Sequence, residues 1–483
     1  MTAVAAPPRV LTERSALELA AAIRAGEVSS REVVEAHVER LEREAHRNAV
    51  VIERFAAARK EADAADARIA GTGDSEDLPP FLGVPCTVKE AIALHDLPNC
   101  AGLVRRREHR ASTTAPVAQR LLDAGAIPLG LTNTPELCLH IESSNLVYGR
   151  TANAYDASRT AGGSSGGEGS AIGCGGSPFG LGSDIGGSIR LPAYFNGIFG
   201  HKPSPGVTPS TGHFPLSPGP SGEMFIIGPL ARRAEDLMPV LKAIAGPDPD
   251  DPWSRDVTLG DPAAVDLSSV EVIVSEEASL LPVRSELREA RERAAEALGA
   301  LGAPVRRESM RSVRRATELF LAALQDGSGV STGELLADGS RAGVTLRAAL
   351  RAREHTLPVL VLLAAEAAIE RIPRAITRRL LASGRALLRE VSTMIGDGIL
   401  LHPPFPRLAP RHGATLAQPW LLAPTAVFSL LRLPVTQVPT GLSARGLPLG
   451  VQVVAGRDRA HMTIAAALEL ERALGGWSPP AAT

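Results

Sequence analysis

Lysine is nearly missing from this 483-residue chain: Lys60, Lys89, Lys202 and Lys242 are the only ones among 51 basic residues. Arginine is thus the default positive charge, and a lysine inside an apolar run invites a chemical explanation. Arginine keeps its proton at any ordinary pH, whereas a desolvated lysine gives it up. Aromatic residues are scarce at 3 %, which leaves few platforms for stacking single-stranded nucleic acid. Surplus charge is lacking too. The 51 basic residues face 53 acidic ones, which excludes the basic field of a nucleic-acid-binding surface. No run reaches about 18 uncharged apolar residues, so no transmembrane helix is expected. The start, MTAVAAPPRVLTERSALELAAAI, lacks a basic region followed by an apolar one, so no signal peptide is expected. Cys86, Cys100, Cys138 and Cys174 form no CxxC pair and read as reduced thiols of a cytoplasmic protein. The eleven histidines form no HExxH or Cys/His cluster, so no metal is expected.

What the chain does have is glycine and serine, concentrated in one place. Residues 160–190, TAGGSSGGEGSAIGCGGSPFGLGSDIGGSIR, hold two Gly-Gly-Ser units, Gly162-Gly163-Ser164 and Gly186-Gly187-Ser188, with almost no charge between them. A flexible linker has this composition. A linker does not, however, carry Ala171-Ile172, Phe179 or Leu181-Gly-Ser-Asp-Ile185 at the spacing of buried helix and strand segments. Glycine this dense costs entropy on ordering and is useful where backbone must approach another group closely. The stretch reads as a catalytic core.

Around it the pattern is α/β. Ser15 with Glu18 and Ser29 with Glu32 have capping-box spacing, and Gly26 ends the first of two amphipathic helices within 10–45. Residues 46–70 continue as alanine-rich helix, and 71–80 is a surface loop. Phe81-Leu-Gly-Val-Pro-Cys-Thr-Val-Lys89 reads as a buried strand with Lys89 at its C-terminal end, where open α/β sheets place site residues. A lysine snorkelling from a strand end has the same pattern. A helix over 114–124, a strand over 126–131 and a strand over 178–184 follow. Residues 200–220 form a long proline-rich loop, and 246–252 is a sub-region boundary. Strands at 270–275, 303–307, 398–402, 434–438 and 449–454 come next, with helices at 284–300 and 462–474. The arginine-rich helical span 310–395 holds one apolar run, 355–365, too short to cross a bilayer. It reads as a buried or oligomer face, or as a substrate mouth in peripheral contact with a membrane.

Two serines, one lysine in apolar surroundings and a glycine-rich backbone point to nucleophilic acyl transfer. A serine hydroxyl is a poor nucleophile until a base removes its proton. The developing oxyanion needs preorganised N–H donors, which a Gly-Gly-Ser turn aims at one point without Cβ obstruction. A phosphate-binding loop fails, because no Gly-Lys-Ser/Thr follows the glycines. Gly162-Gly163-Ser164-Ser165-Gly166 satisfies the G-x-S-x-G of α/β-hydrolases, but the residues before it make a poor strand.

At these residues the sequence resembles the amidase signature family, and within it the fatty-acid amide hydrolase branch. The matching text is FLGVPCTVKE, AIPLGLTNTPELC, ESSNLVYGRTANAYD, GGSSGGEGSAIGCGGS, GSDIGGSIRLPAYFNGIFGHKPSPG and, late in the chain, LHPPFPRLAPRH and LPVTQVPTGL. The resemblance covers most of 10–476 and is weakest around 255–390. It implies an amidase-signature fold, α/β, with a large twisted mixed β-sheet covered by helices on both faces in a single large domain. Within 1–483 it implies an N-terminal helical scaffold (10–70), a catalytic core (80–245), a variable substrate-channel region (255–395) and C-terminal strands and helix (396–476). It also implies a serine–cis-serine–lysine triad: Ser188 as nucleophile, Ser164 as bridging serine across a cis Gly163–Ser164 bond, and Lys89 as base. The amides of Ile185, Gly186, Gly187 and Ser188 match its oxyanion hole, and Cys138 and Leu139 fall where its acyl-pocket wall lies. Asp184 and Arg190 flank the nucleophile and are read as a pair bracing the turn.

The expected activity is hydrolysis of fatty-acid or aryl acyl amides, with esters and carbamates (urethanes) presenting a similar carbonyl. No cofactor is implied. The expected partner is a small-molecule substrate, with no nucleic acid, and the chain is expected to be a monomer or homodimer. Two alternatives stand beside this: the amidase subunit of a tRNA-dependent amidotransferase, and the G-x-S-x-G esterase.

Overall fold

Two matched caps set the helical start of the chain. In the computed structural model, which describes residues 10–71, 78–216, 219–276, 281–338, 340, 343–369 and 373–481, Ser15 and Glu18 cap α1 (Ala16–Arg24). Ser29 and Glu32 likewise cap α2 (Ser30–Arg43), each pair as a reciprocal box. Such a box satisfies amides that a helix start leaves without partners. Gly26, at φ +69°, turns the chain between them. The helix expected over 46–70 is interrupted: β1 (Val50–Glu53) comes first and α3 (Phe55–Gly71) follows. The run Val50-Val51-Ile52 is β-branched and favours a strand. Most of the loop expected over 71–80 lies outside the described residues.

β2 (Pro85–Lys89), α4 (Pro116–Asp123) and β3 (Ile127–Thr132) form a parallel unit. β4 (Ser144–Asn145) and β5 (Gly149–Arg150) pair as a small separate sheet. α5 (Gly166–Gly173) is followed by β6 (Phe179–Asp184), which pairs in parallel with β2 and leads to α6 (Arg190–Phe195). Next come β7 (Phe199–Lys202), β8 (Ile226–Ala231) and α7 (Leu237–Ile244). The proline-rich stretch 200–220 thus starts inside a strand. Both β7 and β8 escape sequence reading for a reason: one is four residues long, and the other carries Pro229, which removes a ladder donor.

β9 (Val272–Ser275), α8 (Ser285–Gly299) and β10 (Val305–Glu308) form a second parallel unit. A helical region follows: α9 (Ala316–Gly327), α10 (Thr332–Leu336), α11 (Leu346–Ala352), α12 (Leu357–Ile369) and α13 (Arg374–Ile395). The chain returns through β11 (Ile399–His402), α14 (Ala423–Leu430), β12 (Val435–Leu442), β13 (Pro448–Ala455) and α15 (Ala460–Leu474).

Eleven strands make one mixed sheet in the order β1-β3-β2-β6-β8-β7-β12-β13-β11-β9-β10. Alternate residues of its strands enter different cores, as the two-residue period of a strand requires. Val272, Val274, Leu401 and Val453 pack in one with Val117, Leu237 and Leu470 of α4, α7 and α15. Ile273, Leu400 and Val454 pack in the other with Phe320, Val391 and Val427 of α9, α13 and α14. Both faces are therefore covered, and the strands read as near-continuous apolar runs. The result is a single α/β domain, as the resemblance implied.

Candidate active site

The site grows from the direct pairing of β2 with β6. Thr87 lies opposite Gly180 and Val88 opposite Leu181, so the two parallel strands deliver Lys89 and Ser183 to neighbouring positions. Lys89 is fully buried. Its Nζ lies 2.8 Å from Ser183 Oγ and 2.6 Å from Ser164 Oγ. A snorkelling lysine would have its head in water, so that reading fails.

Ser164 sits in the turn that opens α5, with a cis peptide between Gly163 and itself. Ser143 clamps this turn, its Oγ donating to Gly162 O at 3.0 Å and accepting from the Gly166 amide at 3.0 Å. The adjoining Ser165 amide donates to Ser188 O at 3.1 Å, which fastens the two Gly-Gly-Ser turns to each other. Ser165 Oγ also accepts from the Ser183 amide at 3.2 Å. Ser188 is half-buried while Lys89 and Ser164 are buried. Its hydroxyl makes no hydrogen bond among the described residues, so Lys89 and Ser164 are in contact and Ser188 adjoins them through backbone.

The turn between β6 and α6 is held by Asp184 and Arg190, both fully buried. Arg190 Nε and Nη2 donate to the two Asp184 oxygens at 3.0 and 2.8 Å, and its remaining donors reach Thr425 O, Gln452 Oε1 and Ser429 Oγ. Burial alone would raise the Asp184 carboxyl; the charge and hydrogen bonds of Arg190, with the Lys202 charge and the Ile189 amide, together outweigh it and hold it at about 2. Asp184 also accepts from the Gly187 amide at 2.8 Å and the Ile189 amide at 3.0 Å. Of the four amides matched to an oxyanion hole, Gly187 is therefore engaged in the turn itself. Those of Ile185, Gly186 and Ser188 donate to nothing among the described residues. Thr425 Oγ1 donates to Gly186 O at 2.7 Å and fixes that peptide plane. Gly187 has φ +127°, and a Cβ there would lie 2.4 Å from Thr425 Oγ1, so only glycine fits.

Burial is the main force on the charges. It lowers Lys89, with Cys138, Asp184 and Glu168 pulling the other way. Glu168, fully buried on α5, is pushed up to about 8 by the same desolvation, against the hydroxyls of Thr87 and Thr132 that donate to it at 2.7 Å each. A Cβ at Gly180 would stand 2.0 Å from Glu168 Oε2, so the bare backbone of β6 makes room for the acid.

Cys138 and Leu139 lie on an apolar cavity shared with Leu137, Ile185, Phe225 and Leu324. Leu137 and Cys138 both hold positive φ, +54° and +58°. Glu136 pins this turn to the start of α12, accepting from His355 Nδ1 and the Thr356 amide at 2.7 Å each and from Thr356 Oγ1 at 2.8 Å. Sequence reading passed over Glu136, Glu168, Ser183, His213 and Thr425. Glu168 had a signal, as the one acid inside the first glycine-serine run; the others depend on contacts distant in the chain.

Known proteins match this chain along most of its length. The amidase family profile matches residues 32–464. Fatty-acid amide hydrolase 2-B of Danio rerio is 43 % identical over 485 residues, covering 96 % of this chain and 90 % of that one. Fatty-acid amide hydrolase 2 of Homo sapiens is 40 % identical over 497 residues, covering 98 % and 92 %. Among solved structures, 6-aminohexanoate cyclic dimer hydrolase complexed with substrate superposes with a TM-score of 0.78 at 26 % identity, covering 96 % of this chain and 98 % of that one. Matched along nearly its whole length by profile, sequence and fold, the chain belongs to the amidase signature family, the hydrolases of carboxylic amide bonds.

Proposed function

We propose that this chain hydrolyses linear amides of apolar carboxylic acids, by itself, through an acyl-enzyme on Ser188. The observation that carries the reading is the 2.6 Å approach of a buried lysine amine to a buried serine hydroxyl, one residue from the peptide that fastens Ser188. Desolvation favours the neutral amine, and a neutral amine can take the Ser164 proton. Ser164 takes the Ser188 proton in turn as Ser188 Oγ attacks the substrate carbonyl. The carbonyl electron pair moves to oxygen, where the amides of Ile185, Gly186 and Ser188 are free to receive it. When the pair returns, the C–N bond breaks and the departing amine receives its proton back along Lys89 and Ser164. Water then attacks the acyl-enzyme by the same relay and frees the acid.

The apolar cavity beside Ile185, walled by Leu137, Cys138, Leu139, Phe225 and Leu324, supports an alkyl or aryl acyl group as the bound part. The described residues contain no group of three or more His, Cys, Asp or Glu side chains placed to hold a metal ion. Among them no helix is long and apolar enough to cross a membrane.

The test is a panel of fatty amides, aryl amides, esters and carbamates offered to the purified chain alone, with fluorophosphonate labelling mapped by peptide mass. Turnover without a partner and modification of Ser188 are expected. Labelling of a different serine overturns the nucleophile, and turnover that needs a second protein favours the amidotransferase-subunit reading.

A further inference from the structure

Besides Ser164, the buried lysine has a polar neighbour that the relay above leaves idle. Lys89 Nζ is 2.8 Å from Ser183 Oγ, which is 3.0 Å from His213 Nε2, and His213 Nδ1 is 2.9 Å from Pro215 O. His213 is 3 % exposed, and its ring packs on Phe225 with centroids 4.4 Å apart. The chain of contacts runs from the wall of the apolar cavity to the amine.

The direction of each bond follows from the last one. A carbonyl oxygen only accepts, so Nδ1 carries the ring proton. Burial, and then the charge of Lys89, push the imidazolium down to about 3, so the ring is neutral and Nε2 is bare. A bare nitrogen only accepts, so the Ser183 hydroxyl donates to it. Ser183 Oγ then has only lone pairs to offer Lys89, and one N–H of the amine turns toward it. The amine's own lone pair is left for Ser164.

We infer that His213 is a positioning residue which, acting through Ser183, orients the Lys89 amine so that its lone pair meets the Ser164 hydroxyl. This rests on the reading of Lys89 as the base. Without an acceptor at 213, Ser183 swings its proton to Lys89 and competes with Ser164 for the single lone pair. A Ser183 that can only accept also favours the ammonium over the amine; once free to donate, it stabilises the amine as well. Loss of His213 therefore lowers the plateau of the pH–rate profile and moves its acid limb to lower pH. The other groups acting on Lys89 are Cys138 from the 136–138 turn, Asp184 from β6 and Glu168 from α5. Lys89 is the charge acting on His213.

The experiment measures kcat, KM and pH profiles on an aryl amide for wild type, His213→Phe, His213→Gln, Ser183→Ala and the Ser183→Ala/His213→Phe double variant. His213→Phe is expected to lower kcat about tenfold, the scale of one net hydrogen bond, with KM within about twofold and the acid limb displaced downward. His213→Gln, whose amide oxygen accepts the Ser183 proton, restores both. On the Ser183→Ala background His213→Phe adds nothing, since the pair acts as a unit. An unchanged plateau and limb in His213→Phe, or a full tenfold loss on the Ser183→Ala background, overturns the inference. Histidine 15N NMR of the wild type reads the tautomer whether or not a variant folds: a bare Nε2 upholds the inference and a protonated Nε2 overturns it. Lys89→Ala separates the two levels. If it keeps the wild-type rate, the base itself is wrong; if it is inactive while the His213 results are null, only the positioning role falls.

Discussion

Asp184 accepts the Gly187 amide and the Arg190 guanidinium on the same oxygen, each at 2.8 Å, with neither side chain reached by solvent. One carboxylate therefore shapes the turn before Ser188 and neutralises the cation beneath it. Arg190→Met leaves that carboxylate buried without its ion-pair partner, held only by backbone amides and the more distant charge of Lys202. A loss of about 3–5 kcal/mol in urea unfolding is expected, together with loss of fluorophosphonate labelling at Ser188 in whatever fraction remains folded.

Lys89→Ala is expected to cut kcat/KM at pH 7 by about 10²–10⁴-fold, the range of general-base catalysis. The deficit narrows as pH rises and hydroxide takes over proton removal. Lys89→Arg is expected to be equally poor, since a guanidinium cannot accept a proton. In the wild type, activity falls as pH drops through the lysine's depressed pKa, because the ammonium has no lone pair. A pH–rate profile of all three enzymes checks this.

Glu168 sets a stability window. Its carboxyl is raised from 4.5 to about 8 by burial, so between those values the folded protein binds a proton that the unfolded chain does not. Its contribution is fully present below pH 4.5 and is lost as pH rises through 8. Glu168→Gln is expected to flatten the decline of Tm over that interval, read by calorimetry at steps between pH 5 and 9.

Lys202 carries the opposite sign. It is buried on β7, and among the described residues its amine makes one hydrogen bond, to Pro203 O at 3.2 Å. Desolvation, then the Arg190 charge, lower it from 10.5 to about 7. The unfolded chain binds the extra proton between these values, so the destabilisation is full below 7 and eases as pH climbs toward 10.5. Lys202→Met is expected to stabilise by about 1 kcal/mol or more at pH 6 and by less at pH 10, measured by urea unfolding.

Glu136 offers a test of the cavity wall. Glu136→Ala releases the 136–138 turn from His355 and Thr356 at the start of α12. KM for a long-chain or aryl amide is expected to rise about tenfold, the scale of one or two net hydrogen bonds, with kcat nearly unchanged. A fall in kcat at constant KM contradicts a wall role.

Much of this was legible before any coordinates. Ser15 and Glu18 announce their helix because a capping box is a contact between residues three apart. Lys89 stands out because lysine is rare in this chain and the run before it is apolar. The pairing of the two Gly-Gly-Ser turns came through resemblance, since no spacing rule says that Ser165 meets Ser188. His213 and Glu136 were silent for a different reason: their partners, Ser183 and His355, are 30 and 219 positions away. β8 stayed hidden because Pro229 argues against a strand, and only pairing with β6 and β7 overrides it.

The adjacency of β2 and β6 has a consequence for how this enzyme comes to life. Val88 and Leu181 are ladder partners from segments more than ninety positions apart, and Gln452, held by Arg190, joins from far later in the chain. A polypeptide that ends before its last two strands lacks the Gln452 acceptor and is expected to leave Arg190, and the turn before Ser188, short of a partner, however much local helix it has gained. The onset of turnover after synthesis is then expected to follow the docking of the final hairpin, β12 with β13.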